Sequence, residues 1–342
     1  MKILVTGGEG YVGTILVRRL AEQHQVHSID LGWFSDEATA HVLPTVTHER
    51  GDILSVTNLI GYDVVINLAG LSCDPQADYS PGQCFAYNTG GAYHLAKIAK
   101  RDGVRRFLQA STASMYGIQD GIAAESDVGK TPQNLTYYGQ SKLNAEQGLM
   151  SLADDKFAVL CFRKGTLGGW NEHRLRLDLV VNTLFVFGRF EGNITVFDPR
   201  AKRPHLDVRD AADLYYNAAV INWPLGCYNV TAGNHTILQM ANAVRDKLRG
   251  EGHKVNVWTQ SNHDPRSYEI FGGRLEPYWT PTYQLKDTIN DLYAHTKDPP
   301  DDSWWRDSRY YNIKRFKELA ECPQQYPTQK GMPNSLHESL TE

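Results

Sequence analysis

The chain reads as an α/β protein: a doubly wound parallel sheet with helices on both faces, followed by a smaller mixed α/β C-terminal lobe. Three observations predict this. Apolar, strand-like segments alternate with helix-period segments through the first half. The first strand runs into a glycine-spaced turn at residue 7 and then an apolar-periodic helix. After about residue 165 the alternation breaks, and aromatics, prolines and short strands mix.

Lys2–Thr6 is a short buried strand, apolar with β-branched residues at its middle and end. Gly7-Gly8-Glu9-Gly10-Tyr11-Val12-Gly13 follows, and Val12, Ile15, Leu16 and Leu20 mark the apolar face of the next helix. Gly7 permits a tight turn and Gly10 lets a pyrophosphate approach the backbone. Gly13 lets the helix pack closely on the strand, with the phosphate at the helix N-terminus. Asp30 ends the next strand, Val26–Asp30, at about the spacing where a carboxylate accepts from an adenosine ribose. Leu31 and Gly32 follow it rather than an arginine. A 2'-phosphate would meet like charge at Asp30, so NAD is the expected dinucleotide.

Thr45–His48 leads to Gly51-Asp52, and Asp63–Gly70 is a buried strand ending in small residues. A helix is expected from about Gly82 to Arg101, a strand at Arg106–Ala110, a helix at Tyr137–Leu152 and a strand at Phe157–Phe162. Repeated strand–helix units imply a parallel sheet covered on both faces. Residues 1–165 therefore form a dinucleotide-binding domain. Leu206–Val220 and the strand Gly226–Val230 return to it, so the return spans about 206–230. Segments 166–205 and 231–320 make the substrate lobe. Residues 322–342, polar and with three prolines, read as a loose tail.

The chain has 342 residues, 41% of them hydrophobic, enough for a sizeable core. Its net charge of -4 argues against a nucleic-acid partner, which would demand a basic face. A strand beginning at residue 2 is not a secretory signal, and no apolar stretch reaches membrane-spanning length. Cys73, Cys84, Cys161, Cys227 and Cys322 are scattered, as are the histidines. The expectation is reduced thiols in a cytoplasmic protein without a metal site.

Two segments carry chemistry. Tyr138-Gly139-Gln140-Ser141-Lys142 opens a helix, and a four-residue separation puts Tyr138 and Lys142 on one face. A cation one turn away favours a phenolate, which suits the pair to taking a proton from an alcohol while hydride leaves the same carbon. An ordinary helix face would look the same. Ser111-Thr112-Ala113-Ser114-Met115-Tyr116-Gly117 puts hydroxyls at the C-terminal edge of a parallel strand, where such sheets bind ligands. A serine- and threonine-rich turn is the plainer account.

Taken in order, these motifs resemble the extended short-chain dehydrogenase/reductases, in the NAD-dependent epimerase/dehydratase group that acts on nucleotide sugars. The resemblance covers roughly residues 1 to 315. It implies a Rossmann-type sheet with Thr6–Gly13 as the phosphate loop, so that Gly7, Gly10, Tyr11, Val12 and Gly13 hold the cofactor with Asp30 on its ribose. Asp52 and Ile53 resemble the adenine contact, and Asn67-Leu68-Ala69-Gly70 the strand end lining the cofactor. Tyr87-Asn88-Thr89-Gly90-Gly91 resembles the asparagine motif of the following helix. Thr112 takes the Ser/Thr place of a catalytic triad with Tyr138 and Lys142. The resemblance also has the lysine bonding the nicotinamide ribose.

On the substrate side, Arg203–Ala212 resembles a segment whose first arginine contacts the nucleotide diphosphate. A guanidinium can meet phosphate oxygens bidentately. The family more often has His where Asp207 stands. Arg174–Asn182 resembles a stretch of a subgroup of sugar-nucleotide enzymes, which makes Arg174, Arg176 and Asn182 candidates. Asp264–Tyr268 adds Arg266. For each arginine a surface salt bridge is the alternative, and Ser72 faces either the sugar or solvent.

The resemblance implies a C4 epimerase working through a 4-keto sugar, with NAD, as a homodimer through segments 83–101 and 137–152. A nucleotide-sugar dehydrogenase, a 4,6-dehydratase and a non-catalytic NAD-binding regulator are the alternatives. In the dehydratases an Asp-Glu pair follows the triad threonine, and here Ala113 and Ser114 stand there. A carboxylate from elsewhere, Glu125 or Asp74, is the route by which dehydration would survive.

Overall fold

The computed structural model describes residues 1–35, 43, 45–118, 121–128, 135–261, 267–299, 301 and 303–321. Strand β1 (Lys2–Thr6) leads through the glycine turn to α1 (Gly13–Ala21) and β2 (Gln25–Asp30), and then come β3 (Val46–Arg50) and β4 (Val64–Asn67). Short α2 (Asp74–Tyr79) and α3 (Pro81–Phe85) pass through a wide π-helical turn, Ala86–Gly91, into α4 (Ala92–Arg101). Next are β5 (Arg106–Thr112), β6 (Ile122–Ala123), α5 (Tyr137–Leu152) and β7 (Ala158–Lys164). The remainder runs β8 (Thr166–Gly168), α6 (Val180–Val186), β9 (Asn193–Phe197), β10 (Lys202–Asp207), α7 (Val208–Val220), β11 (Gly226–Val230) and β12 (Gly233–Thr236). It closes with α8 (Ile237–Gly250), β13 (Asn256–Gln260), β14 (Glu269–Ile270), α9 (Leu285–His295) and α10 (Asn312–Glu321).

Seven strands form one sheet in the order β11-β7-β5-β4-β1-β2-β3, every pair parallel. Successive side chains point to opposite faces, so each strand feeds two cores. On one face Ile3, Val5, Leu108, Leu160 and Phe162 pack with Leu16 and Leu20 of α1 and Leu214 and Tyr215 of α7. On the other, Leu4, Val65, Phe107 and Val159 pack with Leu95 and Ala99 of α4 and Ala145 and Leu149 of α5. That is why these strands read as apolar runs rather than alternations. Each fully buried side chain of this size contributes about 1.5–3 kcal/mol. A third core joins Val181 and Phe185 of α6, Ile194 and Val196 of β9, Val244 and Leu248 of α8, and Ile289 and Leu292 of α9.

Strand order reverses between β1 and β4, and a crevice opens there at their C-terminal ends. Three expectations need correcting. The helix expected over 82–101 is split by the π-helical turn that holds Asn88. Strands β5 and β7 each run two residues past their expected ends because Ser111 and Thr112 pair in register with Arg163 and Lys164. Leu206 lies in β10, which belongs to a three-stranded sheet with β12 and β8, so the return begins at Val208. The expected tail, 322–342, lies outside the described residues, as do His41, Cys322 and the candidate Arg266. Among the described residues no helix is long and apolar enough to cross a membrane.

Candidate active site

A cleft of about 640 Å³ runs along this sheet edge toward the second lobe. At one end Gly7 adopts φ +72°, and its carbonyl accepts from Gly10 N at 3.1 Å. A Cβ at Gly13 would stand 2.2 Å from that same carbonyl oxygen. The third glycine is thus required for α1 to pack on the turn, as its spacing predicts. Gly10, Tyr11, Val12 and Gly13 line the cleft. The Tyr11 side chain turns away and donates to Gly169 O at 2.5 Å, tying the turn to the second lobe.

Asp30 Oδ2 accepts from Glu9 N at 3.0 Å and Oδ1 from Gly32 N at 2.7 Å. A carboxylate has about four acceptor sites, so capacity for ribose hydroxyls remains. Burial, and then the charge of Glu9, raise its pKa. Arg50, in register with Asp30, is paired with Glu9 at 2.6 Å. Leu68, Ala69 and Gly70 form the adjoining wall. Gly70 adopts φ +137°, and a Cβ there would stand 2.2 Å from Asn88 Oδ1 and 3.7 Å from Lys142 Nζ. Asn88 donates to Leu71 O and Ser141 Oγ, both at 3.0 Å, while its buried Oδ1 has no partner among the described residues. Ile53 lines the cleft, but Asp52 does not. Asp52 caps its own turn through Leu54 N (2.8 Å) and accepts from Tyr87 OH (3.1 Å). A glycine turn in which a Cβ at Gly7 or Gly13 would clash, a carboxylate at the end of the neighbouring strand and an orphaned amide oxygen fit a dinucleotide.

The triad candidates meet at the middle of the cleft. Thr136 caps α5 by accepting from Gly139 N at 3.1 Å, which sets Tyr138 and Lys142 on the helix's first turns. Thr112 ends β5 and donates to Ser114 Oγ at 3.1 Å. Lys142 Nζ donates to Ala110 O at 3.1 Å and lies 6.0 Å from the centre of the Tyr138 ring. Their spacing predicts that Lys142 lowers the tyrosine pKa. Burial dominates instead and pushes the phenol well above its ordinary value, and Asp74 adds to the rise. A hydrogen bond from Thr112 and the charge of Arg176 act the other way. Burial also pushes Lys142 down to about 8, against the opposing influence of Cys84, Cys161 and Glu146.

The described substrate candidates sort into two groups. Arg174, Arg176, Arg203 and Ser72 line the cleft. Arg176 forks onto Asp178 (2.9 and 3.0 Å) and donates to Ser72 Oγ (3.0 Å). Arg174 donates to Arg309 O (2.9 Å) and Asn312 Oδ1 (2.6 Å). Arg203, 4% exposed, lies over the Tyr268 ring at 5.4 Å. Asn182 does not reach the cleft. It is fully buried and spends its amide on Gly169 N and O, Arg176 O and Tyr11 OH. Asp207, where the family more often has His, is fully buried, caps α7 and holds Arg209 and Thr288.

Sequence reasoning missed four groups at this site. Asp178, two residues from Arg176, was findable from that spacing. Tyr268 bonds Ser114 Oγ at 3.1 Å. Lys164, at the end of β7 opposite Thr112, donates to Tyr215 OH (2.8 Å) and Ser111 O (3.3 Å). Burial, and then Lys142, push it to about 7. Asn312 lies 240 residues from its partner Ser72, and no local signal points to it. Cys161 and Cys227, scattered in sequence, are brought into register on β7 and β11 within 4.8 Å of Glu146. That carboxylate is already taken by Arg163 and Ser111.

The model of the NAD dependent epimerase/dehydratase family matches residues 3–222. A UDP-glucose 4-epimerase of Corynebacterium glutamicum is 30% identical over 323 residues, covering 86% of this chain and 96% of that one. A UDP-glucose 4-epimerase of Streptococcus mutans is 30% identical over 166 residues, 46% of this chain and 49% of that protein. Among solved structures, MoeE5 in complex with UDP-glucuronic acid and NAD superposes with a TM-score of 0.74 at 21% identity, covering 87% of this chain and 99% of that one. The Thermus thermophilus UDP-glucose 4-epimerase complex with NAD gives 0.72 at 22%, covering 87% and 100%. At that identity the structural likeness speaks to the fold. The chain belongs to the NAD-dependent epimerase/dehydratase family, the extended short-chain dehydrogenase/reductases that act on nucleotide sugars.

Proposed function

We propose that the chain is a nucleotide-sugar epimerase acting at C4 through a 4-keto sugar. The observation that carries this reading is the meeting of Thr112, Tyr138 and Lys142 at one stretch of the cleft wall, with no carboxylate at positions 113 and 114. Ala113 is fully buried, and Ser114 Oγ is engaged by Thr112 and Tyr268. Tyr138, whose phenol burial keeps protonated in the cleft, would take the proton of the C4 hydroxyl once positive charge gathered beside it favours the phenolate. Thr112 holds that oxygen in line, and Lys142, anchored on Ala110 O, keeps a positive charge beside the phenol. When bound, NAD supplies the acceptor and donor of the C4 hydride. Tyr138 then returns the proton to whichever oxygen stereochemistry results.

Gly7, Gly10, Gly13 and the wall at Leu68–Gly70 would hold the cofactor, with Asp30 on its adenosine ribose and Asn88 beside the wall. Arg203, with Arg174 and Arg176, would meet the nucleotide diphosphate. The name of the Corynebacterium relative supports the C4 reading. Two copies of the chain pairing through α4 and α5, in the cytoplasm, complete it.

A 4,6-dehydratase is the second reading, because Asp74 lines the cleft and its charge acts on Tyr138. Glu125 is not available for that chemistry: it accepts from Asn229 N at 2.9 Å, away from the cleft. Product mass separates the readings on a panel of nucleotide sugars. An epimer is isobaric with its substrate, a dehydrogenase product has lost two hydrogens, and a dehydratase product has lost water. Catalytic loss of water from any nucleotide sugar would overturn the epimerase reading.

A further inference from the structure

Helix α10 begins inside the cleft. Asn312, its first residue, is 3% exposed and makes three hydrogen bonds. Its backbone N–H donates to Asp178 Oδ2 at 3.1 Å, its Nδ2 donates to Ser72 Oγ at 3.1 Å, and its Oδ1 accepts from Arg174 Nη2 at 2.6 Å. The amide orientation is fixed, because a guanidinium only donates and so only Oδ1 can face Arg174. Nδ2 is therefore the group at Ser72. Arg176 Nη1 reaches the same Ser72 Oγ at 3.0 Å. A serine hydroxyl has two acceptor positions and one proton. Both acceptor positions are filled by groups that cannot accept in return. The proton has one direction left, away from Arg176 and Asn312, and Ser72 is exposed on the cleft wall.

We infer that Asn312 is a positioning residue which, with Arg176, makes the Ser72 hydroxyl a dedicated hydrogen-bond donor to an acceptor oxygen of the nucleotide sugar. This rests on the nucleotide-sugar reading of the cleft. The oxygen belongs to the diphosphate or to the sugar, and both present the same acceptor chemistry. Helix α10 is suited to the task because its next turn is anchored: Phe316 is buried against Trp33 and Tyr79, at ring separations of 5.4 and 6.0 Å. The helix thus holds Asn312 at a fixed height over the loop that follows β4.

The test is a coupling measurement. Calorimetric titration of the wild-type chain, with NAD present, against UDP-, dTDP- and GDP-glucose identifies the nucleotide sugar that binds. That compound and its free nucleoside diphosphate are then the probes for Ser72→Ala, Asn312→Ala and the double variant. Ser72→Ala is expected to weaken binding about tenfold in the wild-type background, the size of one hydrogen bond to a charged or strongly polar oxygen. Ser72→Thr, which keeps the hydroxyl, is expected to bind within about threefold of wild type. With Asn312 already truncated, the serine proton is no longer aimed, and Ser72→Ala should cost less than about threefold. A loss seen with the free diphosphate assigns the contact to phosphate, and a loss confined to the nucleotide sugar assigns it to the sugar. Should Asn312→Ala lose NAD binding, Asn312→Ser serves in its place. An unchanged affinity in Ser72→Ala, or an equal cost in both backgrounds, overturns the inference alone. A wild-type chain that binds none of the three nucleotide sugars overturns the nucleotide-sugar reading and this inference with it.

Discussion

The two ends of the cleft are built in different ways. The end proposed to hold the cofactor comes from the tips of neighbouring strands of one sheet: the turn after β1, Asp30 ending β2, and Leu68–Gly70 after β4. The end proposed for the substrate draws Ser72, Arg174, Arg176, Arg203 and Asn312 from four separate segments of the chain. A phosphate cradle made of backbone amides needs only glycines at the right spacing, and that is a local property. Recognition by side chains needs arginines whose charges are held by other side chains, as Asp178 holds Arg176 and Asn312 holds Arg174. The first kind of site is set by the glycine turn itself, with Tyr11 tying it to Gly169. The second depends on the lobe, the loop after β4 and α10 staying in register.

Four changes probe this contrast. The largest effect belongs to the point where the two ends meet. Tyr138→Phe removes the proposed base and keeps the ring, so kcat should fall about 10²–10⁴-fold while NAD still binds. Single-turnover kinetics with a parallel NAD titration would measure both, and activity within a few-fold of wild type would remove Tyr138 from its role. At the cofactor end, Gly13→Ala drives a methyl into the Gly7 carbonyl. An overpacked contact of this kind costs about 1–3 kcal/mol, so both the melting temperature and NAD affinity should drop. An unchanged melt would mean the turn is less rigid than its geometry implies.

At the substrate end, Arg203→Ala should raise KM about tenfold and leave NAD affinity unchanged. A guanidinium–phosphate bond contributes about 1.5–3 kcal/mol, and its loss acts on ground and transition state alike. A change in NAD affinity instead would show that the two ends are not separable. The smallest effect is a pH limb. Lys142 has its pKa lowered by burial from 10.5 to about 8, so its ammonium is present below that pH and is lost as pH rises through it. Activity that needs the charge should fall to about half near pH 8. Lys142→Arg, which stays protonated, should carry less activity but lose that descending limb, and a limb that persists would assign it to another group such as Lys164, at about 7.

Much of this was legible in the sequence where a residue's job is set by its neighbours along the chain. The glycine turn, Asp30 at a strand end, and Tyr138 with Lys142 one helical turn apart all follow from periodicity and spacing, and each lines the cleft. Spacing failed where burial decides. It placed a cation near Tyr138 but could not weigh that charge against desolvation and Asp74, which reverse the expected direction of the pKa. The family resemblance makes Asn182 a ligand candidate, but the fold seals that amide under Tyr11 and Gly169.

By itself, then, the amino-acid order determined the parallel sheet, the glycine turn after its first strand and the one-turn spacing of Tyr138 and Lys142. Strand alternation, glycine freedom and the helical repeat act over a few residues, and the chain can express them without its distant parts. Only the tertiary structure decided that Arg176 and Asn312 would close on one serine hydroxyl, that Lys164 would come up beside Thr112, and that α10 would cross from the lobe to pack Phe316 on Trp33. Those contacts join residues far apart in the chain, and the cost of desolvating their charges and amides is offset only by partners that the fold brings to them. No window of sequence contains both members of such a pair.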